Sequence, residues 1–142
     1  MAVFFSNGDV DFSVENEVLL KSWIAEVISR HKKKLGKVNY LFCSDEMVYD
    51  YNIRFLNHDT LTDVITFDNV VGNLVSGDII ISVDRVGENA KLFSISFEEE
   101  LHRVIIHGIL HLLGFKDKSE SDSIIMREKE KEALQILDSL SL

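Results

Sequence analysis

Apolar positions along the chain recur with two spacings, one typical of strands and one of helices. Strands are indicated by short runs of β-branched and aromatic residues, and the sequence has four, at residues 3–5, 38–43, 64–67 and 78–82. The ten residues between the last two runs include Gly72 and Gly77, as expected of a long hairpin connection. We therefore predict four strands, with the last two joined by that hairpin.

Two helices are predicted in the first half of the chain from apolar residues three and four positions apart. The first should extend from about residue 15 to residue 34, and its apolar stripe consists of Leu20, Trp23, Ile24, Val27 and Ile28. The second should begin at Ser44 or Asp45, either of which can cap a helix, and end at about Leu56.

A capping box starts the next helix, with Ser96 as the N-cap and Glu99 three residues later. The apolar positions that follow end near Gly114, and a last amphipathic helix opens at about residue 119. This order of elements predicts an α+β fold in one domain over residues 1–142. We expect a mixed sheet of about four strands packed with about five helices, four of which the pattern locates.

Composition and charge narrow the class of protein. The 142 residues are 46% hydrophobic and 27% charged, as in one ordinary globular domain. No apolar run approaches the roughly 20 residues that span a bilayer, and the first residues lack the basic region of a signal peptide. We therefore predict a cytoplasmic protein without membrane contact. The net charge of −9 argues against a broad nucleic-acid-binding surface, and no DNA partner is expected.

One short segment departs from this acidic character. A third of the 15 basic residues lie within eight positions, namely Arg30, Lys32, Lys33, Lys34 and Lys37. They are interpreted as the cationic last turn of the first helix, with Gly36 just beyond it. A contact with a polyanion is the alternative, which we favour less because basic runs are usually solvated.

The candidate chemistry lies near the end of the third helix. His107 and His111 are four residues apart, so on a helix both imidazoles point the same way, as in helices that present two zinc ligands. Gly114 can turn the chain sharply at the helix end, which would return Asp117 to the imidazoles. We predict that these three residues bind a divalent metal, with zinc the favoured ion. Three protein ligands plus a water are typical of a catalytic zinc site.

The residue after the first histidine limits the chemistry of this site. Zincin peptidases carry their general base there as glutamate, but this chain has Gly108. A metal can still activate water without that glutamate, so other hydrolyses remain open. Glu100 and Arg103 project onto the same helix stripe as His107. Arg103 is the candidate catalytic residue, since it could contact an anionic substrate, with a merely exposed arginine as the alternative.

Several separated motifs resemble the YbeY family of metal-dependent endoribonucleases. The family's His-Gly-x-Leu-His-Leu-x-Gly-(Tyr/Phe) run is matched by residues 107–115. Asn52 and Phe55, the run of residues 59–67 and the strand at residues 77–79 follow the family order. Met126 and a Glu-rich helix come after the metal motif, so the likeness covers residue 38 to the C-terminus and the first helix more loosely.

The resemblance implies an endoribonuclease domain with its metal at one end of a cleft. The expected substrate is single-stranded RNA, and the expected partner is ribosomal RNA of the maturing small ribosomal subunit. Asp63, Thr66 and Asp78 match motif positions of the family. Each of these three could equally serve a structural role, since a Thr-Asp pair before a strand is commonly a turn or cap.

Two departures from the family pattern affect the site. The third family ligand is usually histidine, but here Asp117 stands at that position, after Lys116. A carboxylate ligand favours harder ions, so manganese and nickel are stronger alternatives to zinc than they are in a three-histidine site. The family also tends to carry an arginine three residues before Asp59, where this chain has Leu56. Three arginines could supply the missing charge, namely Arg54, Arg85 and Arg103.

Three hypotheses follow for the function. We favour a metal-dependent, single-strand-specific endoribonuclease that acts in ribosomal RNA maturation. A zincin-like hydrolase, most plausibly a peptidase, is the second, and Gly108 counts against it. The third is a ribosome-associated binding module without catalysis, in which the metal pins the helix to the following turn. A fourth protein ligand would indicate a structural metal, and a bound water would indicate a catalytic one.

Overall fold

The computed structural model describes residues 2–57 and 62–141. Asp59, Thr60 and Leu61 of the family motif lie outside the described residues. The elements are, in chain order, β1 (Ala2–Asn7), α1 (Glu17–Arg30), β2 (Lys34–Cys43), α2 (Asp45–Leu56), β3 (Val64–Asp68), β4 (Leu74–Ser82), α3 (Val83–Phe93), α4 (Phe97–Leu112) and α5 (Glu120–Leu140). In the described part of the chain, no helix has the length and apolarity needed to cross a membrane.

The four strands form one mixed sheet in the order β1-β2-β4-β3. β2 pairs in parallel with both β1 and β4, whereas β3 is antiparallel to β4, as predicted for the hairpin. The predicted α+β class, with four strands and five helices, is confirmed. The hairpin loop is shorter than predicted, because β4 begins at Leu74 and already contains Gly77. Gly77 was placed in the connection because glycine usually marks a turn.

One face of the sheet carries the main core. Val38, Tyr40 and Phe42 of β2 point to that face and pack with apolar residues from α1, α3, α4 and α5. Two buried hydrogen bonds join the layers. The Trp23 indole of α1 donates to the carbonyl of Ala133 in α5 at 2.7 Å, and the Tyr40 hydroxyl donates to the carbonyl of Ile105 in α4 at 2.8 Å. Burying these polar groups is tolerable only because each finds a partner.

The opposite face of the sheet is covered by α2. Cys43, Val48, Ile65 and Ile80 form a smaller apolar cluster there. Cys43 is a free cysteine and is fully buried. Burial, assisted by the charge of Asp9, raises the pKa of the Cys43 thiol to about 11, which keeps it protonated at neutral pH.

The end of α1 differs from the prediction. The helix ends at Arg30, and Lys32 adopts a left-handed conformation with φ of 61°. Lys33 then donates its amide to the carbonyl of Ile28 at 3.2 Å, which completes the helix end. Gly36 lies inside β2, not just beyond a helix. The interpretation of the whole basic run as a last helical turn was therefore wrong, because a lysine occupies the terminating position where glycine is the usual signal.

The pattern of the sequence located four of the five helices and missed α3. Ser82, the last residue of β4, also caps α3 by accepting the amide of Arg85 at 3.0 Å. Only Val86 and Ala90 of this helix are buried. Val83, Val86, Ala90 and Phe93 are spaced as on one face of a helix, but Gly87 and the charged residues between them resemble a loop.

Two glycines let α4 lie very close to β4. A Cβ atom added to Gly108 would stand 2.8 Å from Cδ1 of Ile79, and one added to Gly77 would stand 2.9 Å from Cδ2 of Leu112. Real Cβ atoms do not approach other heavy atoms so closely, so a side chain at either position would force its neighbours to shift, and at Gly77 these include the carbonyl oxygen of Phe67. Gly108 therefore faces the buried sheet, and its neighbour His107 points elsewhere.

Replacing Gly108 with alanine should destabilise the protein, because the added methyl group collides with Ile79 in a filled core. A matched control is Gly87→Ala in α3, where the added Cβ would have its nearest neighbour at 3.9 Å. Relative to this control, Gly108→Ala should lower the free energy of unfolding by about 1–3 kcal/mol, as measured by urea denaturation. Equal effects of the two substitutions would contradict the close contact between α4 and β4.

Candidate metal centre

Two imidazoles on the last turns of α4 face the same point. His107 and His111 are four residues apart, and their ring centroids lie 4.6 Å apart with the ring planes at 83°. Their Nε2 atoms are separated by 3.0 Å. At that distance both Nε2 atoms can bind one ion, as the sequence predicted from the spacing.

The turn after α4 brings Asp117 to these rings. Gly114 has a φ of 104°, and Phe115 donates its amide to the carbonyl of Leu110 at 3.0 Å, which closes a Schellman motif. Ser123 of α5 then donates its hydroxyl to the backbone carbonyl of Asp117 at 3.2 Å. The loop is thus held at both ends, and the prediction that the glycine turn would return Asp117 to the imidazoles agrees with the structure.

The three side chains present their ligand atoms as a small triangle. Oδ2 of Asp117 lies 3.3 Å from Nε2 of His107 and 3.5 Å from Nε2 of His111. Ligands about 2.0–2.1 Å from a tetrahedral zinc ion are separated by about 3.3 Å. The donor set also suits a divalent transition metal, since it combines two imidazoles with one carboxylate. The residues present therefore fit a divalent ion.

A buried carboxylate fixes the orientation of the first imidazole. Oε2 of Glu130, on α5, accepts a hydrogen bond from Nδ1 of His107 at 2.7 Å. With its proton on Nδ1, the ring leaves the lone pair of Nε2 directed at the triangle. The Glu130 side chain is 4% exposed. Sequence reasoning missed this residue, although a glutamate on the buried stripe of α5, between Met126 and Ala133, indicates that a partner is present.

Arg103 lies one turn before His107 and contacts three carboxylates. Glu100 binds it in two places, at 2.9 Å from Nε and at 2.7 Å from Nη2. Glu130 lies 3.3 Å from Nη1, and Asp63 lies 3.4 Å from Nη2. Burial by itself would lower the pKa of Arg103, but the hydrogen bonds of Glu100 and the charges of these carboxylates raise it above its ordinary value. The predicted contact between Arg103 and a substrate remains a prediction.

The charges around the triangle are mostly negative. Three carboxylates contact the Arg103 guanidinium, and Asp117 contacts the two imidazoles, so the four carboxylates and one guanidinium give a formal charge of −3. Burial and the neighbouring His107 ring lower the pKa of His111, which favours its neutral, metal-binding form. An excess of negative charge next to neutral imidazoles favours a bound cation.

Two clefts meet at the candidate ligands. The first, with a volume of about 550 Å³, lies between β3 and the loop after α4. The second, about 240 Å³, lies against α5. His107, Asp117 and Asp63 line both clefts. His107 and Asp117 therefore border both clefts, whereas His111 borders only the first of the two.

The structure places the remaining predicted residues at three locations. Asp63 and Thr66 line the first cleft, and so does Leu56, which occupies the position of the family's arginine. Ile79 of β4 contacts α4, and its neighbour Asp78 points to the opposite face of the sheet, because successive strand residues alternate between the two faces. Asp78 therefore faces away from the ligands, and it accepts a hydrogen bond from Asn39 at 3.0 Å.

Neither Arg54 nor Arg85 reaches the clefts. Arg54 pairs with Asp50 at 3.3 Å, and Arg85 pairs with Asp45 at 2.6 Å. Both arginines form ion pairs outside the two clefts, and the source of the charge missing at Leu56 stays a prediction.

Comparison with known proteins decides the family. The model of the family described as endoribonuclease YbeY matches residues 5–138. The chain belongs to the endoribonuclease YbeY family. An endoribonuclease YbeY from Flavobacterium johnsoniae is 52% identical over 90% of this chain and 92% of its own length. One from Bacteroides thetaiotaomicron is 48% identical over 94% of this chain and 98% of its own length. The resemblance seen in the sequence is confirmed.

The YbeY fold is supported by a solved structure. The solution structure of TM1509 from Thermotoga maritima has a TM-score of 0.64 with this chain and 30% sequence identity. The match covers 94% of this chain and 88% of that one. The two chains therefore share one fold over nearly the whole length.

Two histidines of the metal-free protein should titrate below the ordinary pKa of 6.5. Burial lowers the pKa of His102, and burial with the His107 ring lowers that of His111. The folded state therefore binds protons less readily than the unfolded state. The stability that these two neutral histidines contribute is fully present above pH 6.5, and it should be lost as the pH falls through their pKa values in the folded protein. NMR titration of the ring protons measures the pKa values, and a pKa at or above 6.5 for His111 would contradict this environment.

Proposed function

We propose that this protein is a divalent-metal-dependent endoribonuclease specific for single-stranded RNA. The observation that carries the proposal is the triangle of His107, His111 and Asp117, whose ligand atoms lie 3.0 to 3.5 Å apart where two clefts meet. Membership of the endoribonuclease YbeY family supplies the enzyme class, a hydrolase that acts on RNA. The geometry supports a metal-centred version of that activity.

Zinc is the proposed ion, held by the two Nε2 atoms and the Asp117 carboxylate. Two imidazoles with one carboxylate are an established catalytic zinc donor set, and the triangle has the dimensions that tetrahedral zinc needs. The carboxylate also leaves manganese and nickel as ions to test. A metal bound there supplies Lewis acidity for the phosphodiester and a lowered pKa for water.

Single-stranded RNA suits the recessed position of the ligands. The side chains of His107 and His111 are only 12% and 28% exposed, so a scissile phosphate must enter a cleft to reach them. A single strand can bend into such a recess, whereas the backbones of a duplex are held apart in a regular helix. Ribosomal RNA of the maturing small subunit, in the cytoplasm, is the proposed natural substrate, by the family resemblance alone.

Two other functions receive less support from the site. Among the described residues, the candidate metal group has three members and borders an open cleft, which argues against a closed structural site. A peptidase is disfavoured because Gly108, at the position of the zincin glutamate, packs against Ile79. A glutamate side chain there would meet the core instead of the metal.

The buried charges next to the ligands have a positioning role in this proposal. Glu130 orients His107 through the hydrogen bond to Nδ1, and Arg103 holds Glu130 through Nη1. Arg103 is itself fixed by its two contacts with Glu100. The guanidinium of Arg103 offsets part of the charge of the buried carboxylates of Glu100 and Glu130.

Replacing His111 with alanine should abolish both metal binding and RNA cleavage, because two ligands cannot hold the ion against competition from water. The matched variant Asp117→His should retain the metal, since imidazole is the ligand usual in the family at that position. Metal content by elemental analysis and cleavage of a single-stranded RNA, each with and without chelator, check both variants. Undiminished cleavage by metal-free His111→Ala would exclude the proposed mechanism.

Replacing Glu130 with glutamine should weaken metal binding about 10- to 100-fold, because the carboxylate that orients His107 loses its charge. Glu128→Gln, an exposed position on the same helix, is the control and should leave the affinity unchanged. Zinc affinity is measured by competition with a fluorescent chelator, and circular dichroism verifies the fold. Equal zinc affinity in the two variants would show that Glu130 does not orient the ligand.

A further inference from the structure

One arginine differs from the other four in its surroundings. Among the described residues, Arg30, Arg54, Arg85 and Arg103 each form an ion pair with a carboxylate. Arg127 pairs with no described carboxylate, and it lines the second cleft together with His107 and Asp117. Its side chain projects from the same face of α5 as Ser123 and Glu130, four residues before and three residues after it.

A lysine occupies the corresponding place in the first cleft. Lys118 lines that cleft with His107, His111 and Asp117, and it forms no ion pair with a described carboxylate. Leu56, which stands where the family tends to carry an arginine, lines the same cleft. Lys118 therefore supplies a positive charge to the cleft in which the uncharged Leu56 stands at the position of the family's arginine.

A polyanion needs cations in this part of the molecule. The chain has a net charge of −9, and the carboxylates around the ligands add local negative charge. A phosphate next to the metal would therefore be repelled unless cations lie close to its path. Within residues 2–57 and 62–141, the cations that line the clefts without an ion pair are Lys118 on one side of the ligand triangle and Arg127 on the other.

We propose that Lys118 and Arg127 bind the backbone phosphates on the two sides of the phosphodiester at the metal. The RNA strand then enters along one cleft, crosses the ligands and leaves along the other. This inference rests on the proposed function, because it takes single-stranded RNA as the substrate. It also assigns the phosphate contact to residues other than Arg103, whose guanidinium is occupied by Glu100, Glu130 and Asp63.

The test measures how RNA affinity depends on salt. The zinc-loaded variants Lys118→Gln, Arg127→Gln and the double variant are titrated with a fluorescent 2′-O-methyl single-stranded RNA, whose integrity is checked afterwards on a gel. Each lost phosphate contact should reduce the slope of log affinity against log salt by about 0.7. Each single variant should bind about three- to tenfold more weakly at low salt. The double variant should lose both contributions.

Two exposed lysines outside the clefts serve as matched controls. Lys116→Gln removes a charge from the loop that carries Lys118, and Lys131→Gln removes one from the helix that carries Arg127. Both controls should keep the wild-type slope to within about 0.3, because neither side chain lines a cleft. In cleavage of an unmodified RNA, Lys118→Gln and Arg127→Gln should raise KM more than they lower kcat.

The outcomes separate this inference from the proposed function. The phosphate contacts would be refuted if the slope of log affinity against log salt is unchanged in Lys118→Gln and Arg127→Gln. They would also be refuted if the two control variants reduce the slope equally. Either result would count against the contacts even if the wild type cleaves RNA. Failure of the wild type to bind the RNA would overturn them as well. A slope reduced in Lys118→Gln and Arg127→Gln but not in the controls would support the phosphate contacts. A wild type that binds RNA through these contacts but never cleaves it would refute the proposed function instead.

Discussion

The candidate metal centre depends on how closely α4 lies against the sheet. Gly108 contacts Ile79 where a Cβ atom would not fit, and this contact fixes the rotation of the helix about its own axis. Because successive residues of a helix differ by about 100° in direction, a buried Gly108 turns His107 toward the cleft, and His111 follows one turn later. A packing constraint thus determines where the two Nε2 atoms point, before any metal binds.

The second determinant is a chain of buried charges that joins α4 to α5. Glu100 holds Arg103, Arg103 contacts Glu130, and Glu130 accepts the hydrogen bond of His107. Buried carboxylates are costly unless they are paired, so each member of this chain requires the next one. The arrangement stabilises one orientation of His107, and the guanidinium of Arg103, the candidate catalytic residue, is part of it. Orientation of the ligands and recognition of the substrate are therefore assigned to different cations.

Local signals in the sequence accounted for most of the fold. Ser44, Ser96 and Ser119 cap the helices that they were expected to begin, since a cap is recognisable within one helical turn. The end of α1 was missed because Lys32 adopts the left-handed conformation without the glycine that usually reveals it. The location of α3 was missed because Gly87 and several charged residues interrupt its apolar positions, although Ser82 and the spacing of Val83, Val86 and Ala90 indicate a helix.

The same division between local and long-range information applies to the site. His107, His111 and Asp117 lie within eleven positions, so helix geometry and one glycine turn were enough to bring them together. Glu130 and Arg127 approach them only through the packing of α5, which the spacing could not reveal. The acidic net charge argues against a broad nucleic-acid surface, but it says nothing about a narrow one. A divalent ion, with Lys118 on one side and Arg127 on the other, would offset the negative charge of the carboxylates along the path of the RNA. An acidic protein could then cleave RNA without a broad basic surface.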